Sequence, residues 1–441
     1  MSEVKVNKVS PRSGTNVQLG DSGDTITVPS GATLDASNAT TTLPANVVTT
    51  TGTQTLTNKT IDASQLTGTI TPSDNTVTPA KLAYNYNQFR NIVINGDMSI
   101  AQRGTSATGL TGPGYHSLDR FNINAYNIAS AVYTMEQSTD APTGFYNSLK
   151  LTPTTANGTQ DANEQFNIEQ YIEAQNIYNL DFYTATADSV TISFYIKTNN
   201  TGTYPISLKL SDNNSISSNS ATRLYRTTYT VNSANTWEKK TITIQLDTST
   251  SETRPTGNNF GMSVLFWFGA GSSRDGGTAN SWQGNGNNCT TADNLNFLGS
   301  TSNEVYLTGV QIEKGTSASD FEFLPHDVNL QRCQRYCYSE SAGDTYHNYM
   351  NGFYSSSSLF IGNLNLPTSM RSGPSLTTSG TLVTAGVTSS SISSFSITDS
   401  NVNDVNTIQV RATVSGVTAG QGAVIRNDND ATATFILSSE L

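Results

Sequence analysis

Residues 51–82 constrain the fold of this chain more than any other stretch. The segment reads TGTQTLTNKTIDASQLTGTITPSDNTVTPAKL, in which Thr, Ser, Asn and Gly separate a few isolated apolar residues. Those apolar residues are Leu56, Ile61, Leu66, Ile70, Val77 and Leu82. One copy has too little apolar surface to build a core, but several copies wound together can bury these side chains against one another. The segment therefore predicts an intertwined, oligomeric shaft.

The rest of the chain has a composition typical of an ordered β protein. Only 13% of the 441 residues are charged, and the chain contains 19 Tyr, 16 Phe and 3 Trp, which argues against intrinsic disorder. Thr, Tyr, Phe and Val favour strands, while Gly, Asn and Ser favour turns. Three cysteines, an odd number, do not suggest a disulfide framework.

Net charge limits the classes of partner. The formal charge of −11 and the pI near 4.7 argue against nucleic acid, because phosphates are bound by Lys and Arg, and against docking on anionic membranes. No apolar run approaches the ~20 residues of a membrane span, and residues 1–14 lack the apolar stretch of a secretory signal. We therefore expect a soluble chain that inserts into no membrane and binds a neutral or sugar-like ligand.

Changes in composition and periodicity divide the chain into five predicted segments. They are a small β-rich head (1–50), the shaft (51–85), an antiparallel jelly-roll β-sandwich (86–326), a short linking helix (327–343) and a smaller C-terminal β-sandwich (344–441). The strands are predicted from period-two alternation, as in SVTISFYIK at 189–197, and from turn signals such as Asn95-Gly96. The expected fold is therefore mostly β.

The linking helix is predicted from one amphipathic pattern. Asp327 is the expected N-cap, and Gly343 can close the region. The apolar positions between them are Val328, Leu330, Cys333, Tyr336 and Cys337. Cys333 and Cys337 are one helical turn apart and could share a metal ion. They coincide with the apolar face, however, so packing in the core is the preferred interpretation, and no metal or cofactor is expected.

Five short stretches carry a resemblance to a known family. They are residues 56–62 (LTNKTID), 95–104 (NGDMSIAQRG, followed by Tyr115 and Asp119-Arg120-Phe121), 308–315 (TGVQIEKG, running on through Phe321-Glu322 and Pro325), 330–336 (LQRCQRY) and 366–371 (LPTSMR, with Pro374). They resemble, in order, a shaft phrase, the opening and last strand of a jelly-roll domain, a helical linker and a tip-domain motif in the tail fibres of tailed bacteriophages. The resemblance covers about residues 51–375. It departs at Cys337, where an aromatic residue is usual.

This resemblance to phage tail fibres implies a homotrimeric protein of the virion, located at the distal tail and assembled in the host cytoplasm. Its N-terminus would attach to baseplate or tail proteins, and its distal domains would bind a host surface receptor during adsorption. Because the ligand differs between members, the glycan interpretation, a lipopolysaccharide or a capsule-like polymer, comes from the charge and the candidate residues below. Two alternatives stay open: a tail-spike depolymerase that cleaves host polysaccharide, and a purely structural fibre segment.

The titratable residues do not predict an enzyme. Paired carboxylates cleave glycosidic bonds, and Asp161, Glu164, Glu169 and Glu173 lie close in sequence, but their spacing suits a solvated helix face. The three His residues are accompanied by no G-x-S-x-G motif. The loops at 211–214 and 427–430 offer oxygen ligands for a cation, although turn formation explains them without one.

The first candidate for glycan binding is the long Gly-rich loop at 269–294. It carries Arg274, Asp275, Trp282 and Gln283. An indole ring can stack on the apolar face of a sugar, while the polar side chains bond its hydroxyl groups. The alternative is that Trp282 caps the sandwich or packs between copies of the chain.

The second candidate is the aromatic segment at 346–354 in the C-terminal domain. Tyr346, Tyr349 and Tyr354 would supply contact area for recognition at a low cost in side-chain entropy. The same residues could instead fill the core of a small domain. Phe353 is the member that we expect in the core.

Overall fold

The structure is a computed structural model, and it describes residue 6 and residues 9–19, 21–25, 27–33, 89–212, 222–284, 289–291, 296–398 and 403–441. The chain forms two units, Met1–Pro72 and Ser73–Leu441. The predicted shaft and much of the predicted head lie outside the described residues. In the first unit the described residues form turns and include no strand; in one turn the Asp24 amide donates to the Asp21 carbonyl oxygen at 3.1 Å.

Two six-stranded antiparallel sheets form a β-sandwich among the described residues of the second unit. The strands are β1 (Ser106–Leu110), β2 (Asn122–Tyr126), β3 (Val132–Ser138), β4 (Ser148–Thr155), β5 (Gln165–Glu173), β6 (Ser189–Thr198), β7 (Gly202–Ser211), β8 (Thr222–Val231), β9 (Glu238–Gln245), β10 (Phe260–Ala270), β11 (Trp282–Gly284) and β12 (Val305–Lys314). Short 3₁₀ helices lie at Ala174–Asn176, Tyr178–Leu180 and Phe297–Gly299. The spatial order is β1-β3-β4-β12-β6-β9 in the first sheet and β11-β8-β7-β10-β5-β2 in the second.

The core of the sandwich follows from the period-two pattern of its strands. In β6, Ile192, Phe194 and Ile196 point into the core between the sheets, so Tyr195 and Lys197 take the opposite face. The central strand β10 is buried along its whole length, because its second face is also covered. The predicted mostly-β fold, with antiparallel sheets consistent with a jelly roll, is confirmed.

The helix that follows the sandwich is shorter than predicted. It is α1 (His326–Gln334), with Pro325 at the N-cap and Asp327 in the first turn. Asp327 is therefore not the N-cap, and the predicted extent of 327–343 is wrong. Cys337 belongs instead to a strand, because the backbone there pairs with a strand nearly a hundred residues later. α1 is also short of the length and apolarity that crossing a membrane requires, and no other described helix meets them.

The C-terminal domain contains two antiparallel sheets among its described residues. Its strands are β13 (Cys337–Ser341), β14 (Asn348–Ser356), β15 (Leu359–Ser372), β16 (Ser375–Ser379), β17 (Leu382–Ala385), β18 (Ser390–Ser391), β19 (Ser394–Ile397), β20 (Asn403–Thr413), β21 (Gly422–Asn427) and β22 (Thr434–Ser438). The small sheet has the order β13-β22-β16, and the large one β18-β17-β21-β14-β15-β20-β19. Phe360, Ile408 and Phe435 lie in the core that these sheets enclose.

Both cysteines near α1 are core residues, as the preferred interpretation held. Cys333 and Cys337 are fully buried and form no disulfide. Burial raises the pKa of each thiol, so both stay protonated at neutral pH. Cys333 packs with Tyr336, Ile94 and Ile100. No described group of three or more His, Cys, Asp or Glu side chains is placed to hold a metal ion.

The acidic residues at 161–173 do not form the solvated helix face that their spacing suggested. Residues Gln165–Glu173 are strand β5, whose alternate residues Phe166 and Ile168 fill the core. Glu169 and Glu173 are buried on the opposite face. Glu169 accepts hydrogen bonds from Ser263 and Asn124 and pairs with Lys209 at 3.3 Å.

Buried charged groups hold the C-terminal domain to the sandwich. The carboxylate of Glu173 accepts from Nε and Nη2 of Arg335 at 2.7 and 2.8 Å and from the hydroxyl of Tyr336. The guanidinium of Arg120, which is fully buried, lies 3.5 Å from the Tyr336 ring centroid and pairs with Glu440. Burial lowers the pKa of Arg120, but the Glu440 carboxylate together with Tyr336, Tyr115 and Cys333 raises it by more, so the net pKa is raised. Arg120 is therefore permanently charged at this junction.

Candidate functional site

The described parts of the loop at 269–294 lie against the outer face of the second sheet. Cys289 packs on Leu265, Trp267 and Ala270 of β10, and its carbonyl oxygen accepts from the Ser207 hydroxyl at 3.0 Å. This contact explains why β10 is buried on both faces. The described parts of the loop, 269–284 and 289–291, are thus packed against the sheet.

Trp282 lies in the position that the capping alternative describes. It is half-buried in the edge strand β11, opposite Tyr225 of β8, with the two ring centroids 5.5 Å apart. Its Nε1 donates to the Gln245 carbonyl oxygen at 2.8 Å. The neighbouring Gln283 accepts a hydrogen bond from Nη1 of Arg226 at 3.0 Å. Both side chains therefore have structural partners, and a role in glycan binding stays a prediction.

Arg274 and Asp275 lie in the same loop and are half-buried. With the Gln165 amide oriented so that its oxygen faces Arg274, that oxygen accepts from Nε at 3.1 Å and from Nη2 at 3.3 Å. The Arg274 carbonyl oxygen accepts from the amides of Cys289 and Thr290 at 2.6 and 3.0 Å. The Arg274 backbone thus joins the two described parts of the loop, and ligand binding by Arg274 or Asp275 stays a prediction.

In the C-terminal aromatic segment, the buried and exposed residues are the reverse of those predicted. Tyr349 and Tyr354 are buried and donate their hydroxyls to the Ala433 carbonyl oxygen and to Thr384 Oγ1, at 2.9 and 3.0 Å. These two residues are core residues, so assigning them to a recognition surface was wrong. Phe353 is 48% exposed, so placing it in the core was also wrong.

Tyr346 is the exposed member of the predicted C-terminal group. It is 52% exposed, and the Arg426 guanidinium lies 4.6 Å from its ring centroid. Beside it, His347 contacts Glu340 at 2.6 Å. The structure therefore separates Tyr346 from Tyr349 and Tyr354 by burial, and a binding role for Tyr346 stays a prediction.

The outer face of the first sheet carries a group of residues that the sequence did not single out. Tyr195 of β6, Tyr306 of β12 and Trp237 beside β9 alternate there with Lys150 of β4 and Lys197 of β6. We call this surface the aromatic face. The rings of Trp237 and Tyr306 meet edge to face, with centroids 6.2 Å apart.

Lysines lie over the rings of the aromatic face. The Lys197 ammonium lies 4.3 Å from the Tyr306 centroid and 5.6 Å from that of Trp237. Lys150 lies 5.3 Å from the Tyr306 centroid. Lys239, opposite Tyr195 in the sheet, lies 6.0 Å from that ring. These distances are those of cation–π contacts, which fix the rings and lysines together.

Carboxylates pair with two of the lysines of the aromatic face, Lys150 and Lys197. Lys150 pairs with Glu304 at 2.9 Å, and Lys197 pairs with Asp140. The hydrogen bond from Lys197 lowers the pKa of Asp140, and that from Lys150 lowers the pKa of Glu304. Trp237 Nε1 also donates to Asp140 at 3.1 Å. The surface therefore has hydrogen-bond donors and acceptors around two half-buried rings, Trp237 and Tyr195, while Tyr306 is buried beneath the lysines.

No family model and no curated protein matches the chain. Among solved structures, the enzymatically active domain of tailspike protein 4 of bacteriophage CBA120 is 12% identical over 51% of this chain, with a TM-score of 0.25. The matched part spans 22% of the length of that domain. A putative sugar binding protein from Bacteroides thetaiotaomicron is 14% identical over 51% of this chain and 100% of its own, with a TM-score of 0.29. A family 11 carbohydrate-binding module from Clostridium thermocellum is 11% identical over 47% and 98%, with a TM-score of 0.24. These scores are too low to argue function from.

Proposed function

We propose that this protein is a phage tail fibre that binds a glycan on the host cell surface through the aromatic face of its larger sandwich. The observation that carries the proposal is the placement of the half-buried Trp237 and Tyr195 on the outer face of one sheet, around the buried Tyr306, with paired charges beside them. The tail-fibre role is supported by the stretches at 56–62, 95–104, 308–315, 330–336 and 366–371, which resemble that family.

The chemistry of the aromatic face suits a sugar. Aromatic rings provide apolar area on which the C–H face of a pyranose can pack. Lys150 and Lys197 donate hydrogen bonds, while Asp140 and Glu304 accept them, so both halves of a hydroxyl group find partners. Because the charges are paired, the face should favour a neutral sugar over a strongly anionic one.

The fibre would act as a homotrimer attached to baseplate or tail proteins by its N-terminal part, at the distal tail of the virion. Each site would bind weakly, since a half-open sheet face buries little of a ligand. Several sites on one particle raise the overall affinity through effective concentration. The aromatic face contains no pair of free carboxylates, because Asp140 and Glu304 are both engaged by lysines, and we therefore propose binding without hydrolysis.

The test is binding of the full-length protein to an array of bacterial surface polysaccharides, with Trp237→Ala and Trp282→Ala compared. We expect Trp237→Ala to weaken binding by at least about tenfold, which corresponds to about 1.4 kcal/mol. Trp282→Ala is the matched control: it should lower the melting temperature, because a packed and hydrogen-bonded indole is lost, and leave binding intact.

Three outcomes would count against the proposal. Wild-type protein that binds no polysaccharide would contradict glycan recognition. Unchanged binding by Trp237→Ala would contradict the aromatic face, and lost binding by a stable Trp282→Ala would favour the loop at 269–294. Release of short saccharides from a bound polymer would support the depolymerase instead.

A further inference from the structure

A cavity of about 350 Å³ lies in the C-terminal domain. Its lining comes from β16, from the start of β17 and from the segment that joins β18 to β19. The apolar part of the lining is formed by Leu376, Leu382, Ile392 and Phe395. Binding cavities have volumes of about 300–1,000 Å³, so this one has room for one small ligand.

The curvature of the large sheet explains why the cavity is there. β18 and β19 are the two outer strands of that sheet, yet only Ile392 and Ser393 separate them in sequence. Consecutive Cα atoms are about 3.8 Å apart, so the two strands must lie within about 11 Å of each other at this link. The sheet therefore curls until its edges approach. β16 of the small sheet comes within 8 Å of β19, measured between Cα atoms, so strands of both sheets hold the lining.

β16 has backbone groups beside the cavity that face away from its partner strand. The Ala342 amide donates to the Ala433 carbonyl oxygen at 2.9 Å. Odd-numbered residues of β22 therefore bond to β13, and even-numbered ones bond to β16. This register turns the N–H and C=O groups of Leu376 and Thr378 away from β22. Because β16 is an edge strand, no described strand pairs with these groups.

The same argument applies to β19. The Thr398 amide donates to the Gln409 carbonyl oxygen at 3.3 Å, so alternate residues of β19 bond to β20 and the backbone groups of Phe395 point away from it. The Phe395 ring is held edge to face against Phe435, with centroids 6.3 Å apart. Phe395 thus provides both a fixed ring and unpaired backbone groups.

Three hydroxyl groups complete the lining. Ser394 Oγ donates to Thr413 Oγ1 at 2.9 Å, and Ser393 Oγ donates to the Thr413 carbonyl oxygen at 3.3 Å, so each serine oxygen can still accept a hydrogen bond. Thr378 Oγ1 can donate and accept. None of the described residues that line the cavity carries a charge. The cavity therefore combines apolar side chains with neutral donors and acceptors.

From this lining we infer that the cavity binds one residue of a neutral sugar, as a second glycan site separate from the aromatic face. A charged ligand would lose its hydration there without meeting an opposite charge. A purely apolar ligand would displace water from the polar groups without replacing their hydrogen bonds. A pyranose avoids both costs, because its C–H face can pack on Phe395 and its hydroxyl groups both donate and accept.

The test is saturation-transfer NMR of the full-length protein, with the methyl glycosides of glucose, galactose, mannose and rhamnose as probes. Thr378→Val keeps the shape of the side chain and removes its hydroxyl group. It should weaken binding by about two- to tenfold, as the loss of one neutral hydrogen bond does. Thr377→Val is the matched control, because Thr377 is the next residue of β16 and is exposed on the opposite face; it should leave binding unchanged.

Thr378→Phe tests the cavity itself. The larger side chain should occupy the open space and abolish binding, while the melting temperature stays close to that of the wild type. Binding of none of the four probes, equal weakening by Thr377→Val and Thr378→Val, or undiminished binding by Thr378→Phe would each overturn the inference.

Measuring every variant in the Trp237→Ala background separates this site from the aromatic face. The cavity predicts that Trp237→Ala still binds a methyl glycoside and that Trp237→Ala/Thr378→Phe does not. Loss of glycoside binding in Trp237→Ala alone would place the sugar on the aromatic face and overturn the inference. Failure of the proposed function has a different signature, which is unchanged binding of polysaccharide by Trp237→Ala.

Discussion

Replacing Glu440 by Gln tests how the C-terminal domain is held to the sandwich. The substitution keeps the shape of the side chain but leaves the guanidinium of Arg120 without its carboxylate. Arg120 is fully buried and Glu440 is 6% exposed. Removing one partner of a buried ion pair costs about 3–5 kcal/mol, because the remaining charge is desolvated and uncompensated. The Tyr336 ring still faces Arg120 at 3.5 Å, so we expect the lower end, about 3 kcal/mol.

Urea unfolding followed by tryptophan fluorescence measures this loss. All three Trp residues, at 237, 267 and 282, lie in the larger sandwich, so the signal reports the domain that keeps the uncompensated Arg120. With an m-value of about 3 kcal/mol per molar urea, the midpoint should fall by about 1 M. Asp188→Asn is the control: its pair with Lys314 has side chains 27% and 43% exposed, and loss of such a surface pair costs about 0–1 kcal/mol.

A midpoint for Glu440→Gln that equals that of Asp188→Asn would refute the reasoning. A double variant tests the role of the buried charge further. The double variant Arg120→Leu/Glu440→Leu should recover part of the lost stability, since it removes the buried charge of Arg120, although Arg103, 3.2 Å from Glu440, still loses that partner. If the double variant is as unstable as Glu440→Gln, shape and not charge governs the junction.

Gly309 and Asp119 provide two further tests. A Cβ at Gly309, where φ is +63°, would lie 2.8 Å from the Phe145 ring, so Gly309→Ala should lower the unfolding free energy by about 2–4 kcal/mol. Gly416 is the control, because it has φ +70° but lies in open space. An equal loss of unfolding free energy in Gly416→Ala would contradict the role of the ring contact. Burial raises the pKa of Asp119 from 3.8 to about 6, so between about pH 4 and 6 the native state holds a proton that the unfolded chain has released, and the stability from this group falls as pH rises. On acidification through that interval, the unfolding free energy of the wild type should therefore rise relative to that of Asp119→Asn by up to about 1.4 kcal/mol per pH unit. Urea unfolding of both proteins at a series of pH values measures this, and an equal pH dependence in the two would contradict it.

Local patterns predicted the strands well, because burial on one face of a strand imposes a period of two on the sequence. β6 shows this directly, whereas β10 is buried on both faces and has no period of two in its burial. The end of the helix was harder to predict. Cys337 sits at helical spacing from Cys333, yet pairing with β22 determines its conformation, and a partner a hundred residues away leaves no local signal.

The errors at Phe353 and Tyr354 have a definite cause. These residues are adjacent on β14, so one must face the core and the other solvent. Which one does so depends on the register with β21, and that register shifts between Asn348 and Met350. A one-residue irregularity reverses every later assignment, and nothing in the composition of the segment marks it.

The aromatic face could not be found from motifs. Its residues come from β4, β6, β12 and the position just before β9, and Lys150 and Tyr306 lie 156 residues apart in sequence. The order of strands in the sheet brings them together. The sequence did show, from the alternation of apolar residues in β6, that Tyr195 and Lys197 lie on the face turned away from the core. With a known strand order, this would have been enough to locate the surface.

The position of β22 in the small sheet has a consequence for the order of events during synthesis. This strand lies between β13 and β16, yet it is made about sixty residues after β16 and almost a hundred after β13. A ribosome therefore releases a complete large sandwich well before the small sheet can close. Glu440, two residues beyond β22, reaches Arg120 only after that closure. A chain interrupted before this point keeps the buried Arg120 without its carboxylate, so it should be less stable than the full-length chain.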